Sequence, residues 1–138
     1  MNAFGLRGPD VAAERPPDAL RVLFLGDSVT WGGSYVDDDA LFSARAVRVA
    51  RDRMPTRFRT AEALNAGVNA WGPGNILGLL DAGVLPAGLG SQAWVITVLE
   101  DDFRRDKTRI GEVPYFNVAP RTAWEELLVL AAYRVVTA

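Results

Sequence analysis

Ser28 stands where a sequence can turn from structure to chemistry. It closes the stretch Leu23-Phe24-Leu25-Gly26-Asp27-Ser28, in which an apolar run stops at a Gly-Asp-Ser step. A buried strand that stops in this way delivers a hydroxyl to the edge of a sheet. A serine hydroxyl acts as a nucleophile when a base takes its proton and donors face the oxygen that becomes negative. Two further places have the composition to supply donors. The Gly/Pro-rich turn at 69–72 offers backbone N–H groups, and a polar stretch, Glu100-Asp101-Asp102, follows the apolar run "AWVITVL". A histidine, the commonest base, is absent from all 138 residues.

The totals narrow the function classes. The length fits one domain, and 49% hydrophobic residues suffice for a core. A formal net charge of −2 gives no electrostatic footprint for nucleic acid or an anionic membrane surface. Without cysteine there is no disulfide, thiolate metal site or cysteine nucleophile. No run approaches the length needed to span a bilayer. Residues 1–20 carry Pro16-Pro17 and lack the apolar core of a signal peptide, so they read as an extended lead-in. If this N-terminus is complete, the expected compartment is the cytoplasm.

The elements that must position Ser28 follow from periodicity. Residues 21–25 form a short continuous apolar strand, as in a parallel sheet covered on both faces. "GGSYVDDD" (32–39) is a loop whose acidic end precedes a helix over 40–53. Phe42, Ala46, Val49 and Ala50 are that helix's expected inner face, and Arg45, Arg48 and Arg51 a solvated one. A second strand lies within 60–68, and Asn65 is expected as a turn residue after it or, as the alternative, lining the site. A helix over 75–85 ends at Pro86 and Gly88. Residues 93–99 form a third strand, rich in Val, Ile and Thr. The spacing Thr122-x-x-Glu125 caps a last apolar helix to about 136. That helix, with Pro114-Tyr115-Phe116, is expected to cover one sheet face. Alternating strands and helices predict an α/β fold with parallel strands and right-handed crossovers. The strand order 2-1-3 brings Asp27-Ser28, the 65–72 turn and 100–102 to the carboxyl edge, where such sheets bind ligands.

Three stretches together resemble the SGNH, or GDSL-type, ester hydrolases. "GDSVTWG" resembles the first block of that family, "LNAGVNAWGPGN" the second, and "VITVLEDDF" the third, in the family's order and spacing over roughly residues 20–106. The resemblance implies a three-layer α/β/α sandwich with a flavodoxin-like sheet. It makes Ser28 the nucleophile, the Ala70 N–H an oxyanion donor, and Asp101 the occupant of the third donor position. Asp27 and Asp102 support these residues. The implied substrates are small-molecule, carbohydrate or lipid acyl esters, and no cofactor is implied. Three departures stand out. Ala70 replaces a glycine, Leu99 replaces the first glycine of the third block, and Asp101 replaces an asparagine. A carboxylate at 101 donates only when protonated. The family's Asp-x-x-His block and its last strands are also missing. Residues 21–138 are therefore expected to be the N-terminal part of one hydrolase domain, inactive alone.

Two other readings use the same residues. The chain is alternatively a non-catalytic relative or binding module on this fold, in which Ser28 merely caps a turn. Less favoured is an α/β domain that handles phosphoryl groups, with Asp27, Asp101 and Asp102 holding Mg²⁺; no P-loop accompanies them. Trp31 and Trp71 flank the proposed site and are expected either to wall a pocket or to pack in the core. If the sheet ends at the third strand, its open edge favours self-association.

Overall fold

The structure is a computed structural model that describes residues 1–83, 85, 89–100 and 102. Its elements run β1 (Ala19–Gly26), α1 (Ser28–Trp31), α2 (Phe42–Asp52), β2 (Thr60–Gly67), α3 (Pro73–Asp81) and β3 (Ala93–Ile96). The strands form one parallel sheet in the order β2-β1-β3. The expected topology is therefore present. The expected helix from Thr122, the Pro114-Tyr115-Phe116 cover and Asp101 lie outside the described residues.

Every residue of β1 is buried, which explains its unbroken apolar run. Its even-numbered side chains Leu20, Val22 and Phe24 meet Val47 of α2 and Phe58. Its odd-numbered Leu23 and Leu25 meet Leu64, Ala66 and Ile76 of α3. One helix thus covers each face of the central strand, as strand periodicity requires.

Helix α2 differs from expectation in its rotation. Ser43 and Val47 are its buried residues, whereas Phe42 and Val49 are exposed. Alanines at 44, 46 and 50 give the helix two faces of similar apolarity, so spacing alone does not set the phase. Phe42 still reaches the core edge-on, its ring 5.6 Å from that of Phe24. Arg45 and Arg48 face solvent, and Arg51 pairs with the adjacent Asp52.

The lead-in is part of the core. Leu6 is buried and packs with Leu23 and Leu25. Arg7 bridges to Asn65 in antiparallel fashion. β1 also begins two residues before the apolar run and includes Arg21, which is 0% exposed. Its guanidinium bonds Glu62 Oε2 and the Leu89 carbonyl, each at 2.7 Å, and the Ala12 carbonyl at 2.9 Å. Burying a guanidinium is costly unless its donors are met. Here they tie the lead-in, β2 and the approach to β3 to the base of the central strand.

Arg21→Ala is expected to destabilise the fold by about 3–5 kcal/mol, because Glu62 and two carbonyls lose their donor. Glu62→Gln keeps the shape and should cost about 1–2 kcal/mol. Urea denaturation at constant m-value measures both. Equal, small losses would mean that the ion pair contributes little to the fold.

Candidate functional site

The first turn after β1 is built by Asp27. Its side chain is 1% exposed and accepts from the Val29 N–H at 2.8 Å, capping the single-turn helix α1. Helix α1 ends at Gly32, which takes φ +86° and returns its N–H to the Ser28 carbonyl at 2.9 Å. Ser28, the first residue of α1, is exposed. Its N–H is one of the first-turn donors that a helix leaves without an internal acceptor. Ser28 thus sits exposed at the start of a capped single turn.

Two glycines let backbone come close to this turn. A Cβ on Gly26 would collide with Thr30 Oγ1 and lie 2.9 Å from the Thr97 carbonyl. A Cβ on Gly67 would collide with the Trp31 backbone nitrogen and lie 2.7 Å from the Thr30 carbonyl carbon. The ends of all three strands therefore meet around α1. Val68 N–H also donates to the Gly26 carbonyl at 3.0 Å, and Thr97 N–H to the Leu25 carbonyl at 2.9 Å.

Asn65 lies within β2, not in the turn after it, and is 1% exposed. Its Nδ2 donates to the Thr30 carbonyl at 2.7 Å and to Ser43 Oγ at 3.3 Å, and its Oδ1 accepts from Gly67 N–H at 3.0 Å. It is a fastener between the sheet, α1 and α2. Residues 68–71 form a β-turn closed by Trp71 N–H on the Val68 carbonyl at 3.2 Å. Its third residue, Ala70, has φ +65°, a left-handed conformation that favours glycine. Among the described residues the Ala70 N–H has no hydrogen-bond acceptor. Asn69, its neighbour, lines an open groove together with Ser28, Trp31, Gly33 and Tyr35.

The third segment is anchored by Asp102, 2% exposed, whose Oδ2 accepts from Leu99 N–H at 2.8 Å while its own N–H donates to the Leu99 carbonyl at 3.0 Å. Asp27 and Asp102 each thus bind backbone N–H groups and hold turns. Among the described residues no group of three His, Cys, Asp or Glu side chains is placed to share a metal ion.

Arg7 is the residue of the site that sequence reasoning missed. It is buried and donates from Nη1 to the Trp31 carbonyl at 2.7 Å and also to the Gly33 carbonyl. Its Nη2 donates to the Val36 carbonyl, and its Nε pairs with Asp38 at 3.2 Å. Its guanidinium lies 5.1 Å from the Trp31 ring centroid. One side chain thereby fixes the whole 31–38 loop, the floor and rim of the Ser28 groove. A lone arginine in a polar lead-in carries no periodic signal; the available hint was an "LRGP" stretch ending in a turn dipeptide.

Gly67→Ala is expected to cost at least about 2 kcal/mol, because its Cβ meets backbone that cannot move aside. Ala70→Gly has the opposite sign: relief of a left-handed alanine outweighs the added chain entropy, giving a stability gain of up to about 1 kcal/mol. Thermal and urea unfolding test the pair, and a loss at 70 would show that the left-handed turn carries no strain.

No family model, no curated protein and no solved structure matches this chain.

Proposed function

We propose that this chain carries the nucleophile half of an SGNH-type ester hydrolase. The observation that carries the reading is an exposed Ser28 that shares one groove with Asn69, whose neighbour Ala70 is left-handed where the family resemblance expects glycine. In the proposed reaction Ser28 Oγ bonds to the ester carbonyl carbon and its proton passes to a base. The Ser28 and Ala70 N–H groups face the resulting oxyanion. Collapse expels the alcohol, which takes the proton, and water then releases the acid from the acyl-serine. Asp101 occupies the third donor position in this reading and donates only in its protonated form.

The base that the resemblance implies is a histidine, and these 138 residues contain none. In this reading the chain alone turns over no ester. The same lack of histidine favours the second reading, a non-catalytic binding module in which Ser28 remains a turn residue.

A fluorophosphonate probe separates the two readings. Slow labelling of Ser28, accelerated at least tenfold by added imidazole and abolished in Ser28→Ala, is the expected result by intact-mass analysis. No adduct with or without imidazole supports the binding module. Asp101→Asn should raise the imidazole-assisted rate by about 10²-fold, the usual worth of one oxyanion donor. An unchanged rate removes residue 101 from the site.

We also propose that the chain self-associates through β3. All four of its residues are exposed, with Trp94 56% and Ile96 52% accessible. Apolar edge strands invite pairing, and a lysine on the edge opposes it. Sedimentation should show concentration-dependent association that Ile96→Lys shifts towards monomer; identical monomeric behaviour of both proteins rejects it.

A further inference from the structure

We propose that a second cleft beside the Ser28 groove is an acyl pocket that takes an apolar chain of about six to ten carbons. The inference rests on the ester-hydrolase reading for its role, but not for the binding itself. The cleft has a volume of about 410 Å³, within the roughly 300–1,000 Å³ of small-molecule sites. At roughly 30 Å³ for each water-sized group, that volume accommodates such a chain with some space left.

The walls come from four parts of the molecule. Phe4 and Leu6 belong to the lead-in, Ala66 and Val68 to the end of β2 and its exit, Trp71 to the 68–71 turn, and Leu79 to α3. Among the described residues no charged side chain lines the cleft. Such a lining desolvates methylene groups at little cost, and its polar side chain, Asn69, stands on the side shared with the Ser28 groove.

Position supplies the second argument. Trp31 and Asn69 line both this cleft and the groove that holds Ser28. A ligand with its carbonyl at Ser28 therefore has the apolar cleft directly across these two residues. The Asn69-Ala70 turn that would hold the oxyanion also forms the passage to the cleft. The lead-in acquires a function: Arg7 sets the groove, and Phe4 and Leu6, a few residues earlier, close the pocket beside it.

Calorimetric titration of the full chain with acetate, butanoate, hexanoate, octanoate and decanoate tests the proposal. Affinity should rise about two- to fourfold per methylene and level off near ten carbons. Val68→Phe should weaken octanoate binding at least tenfold and move the plateau to shorter chains. Phe4→Ala, which opens one wall without adding bulk, should weaken it about three- to tenfold and keeps the test available if Val68→Phe does not fold. Octanoate binding no tighter than acetate, or a chain-length series unchanged in both folded wall variants, overturns the pocket. Fluorophosphonate labelling reports separately on Ser28, so a chain that binds octanoate but forms no adduct loses the hydrolase reading and keeps the pocket.

Discussion

The carboxyl end of the sheet is organised around one residue, Asn65. Its carbonyl accepts from Arg7 N–H at 2.9 Å, and its side chain bonds Thr30, Ser43 and Gly67. Four separate parts of the chain are thereby joined at one buried amide. The hydrogen-bonding capacity of an amide suits this task, because it presents donor and acceptor together. A buried amide that loses a partner costs the desolvation of the group left behind, so the junction has one favoured arrangement. Gly67 adds a steric condition, since α1 lies flush against its backbone. The seating of α1, which begins at Ser28, is a consequence of this junction.

Two arginines extend the same logic to the loops. Arg7 and Arg21 are both buried and both spend most of their donors on carbonyls. A guanidinium has five N–H groups in a fixed fork, so one side chain can fix several loop carbonyls at once. Lysine lacks that geometry. At the start of β1, Arg21 holds the amino end of the sheet closed. At the other end Arg7 shapes the 31–38 loop. The arginines of this chain thus include two on which the architecture depends.

The parallel sheet and its order were legible because Leu23, Phe24 and Leu25 form an uninterrupted apolar run and helices alternate with strands. The Asp27 turn was legible for a different reason: a Gly-Asp-Ser step after an apolar run demands particular backbone geometry. The phase of α2 was not legible, since its alanines let either face pack. Asn65 and Arg7 escaped for a common reason. Each acts through bonds to distant backbone carbonyls, and a carbonyl has no identity in a sequence. Polar residues buried by such bonds look like loop residues until the partner is seen.

Ala70 is the strained point of the turn beside the Ser28 groove. A left-handed alanine costs roughly 1–2 kcal/mol that glycine would not. Such a residue persists only when its surroundings over-determine it. Here they do: Val68 is tied to Gly26, Trp71 to Val68, and Gly72 to Asn75 Oδ1 at 3.0 Å. The turn is clamped on both sides, and its middle residue follows. The turn remains strained, and the N–H at 70 has no acceptor among the described residues. In the ester-hydrolase reading proposed above, activation of Ser28 is a separate requirement, and the clamped turn bears on positioning alone.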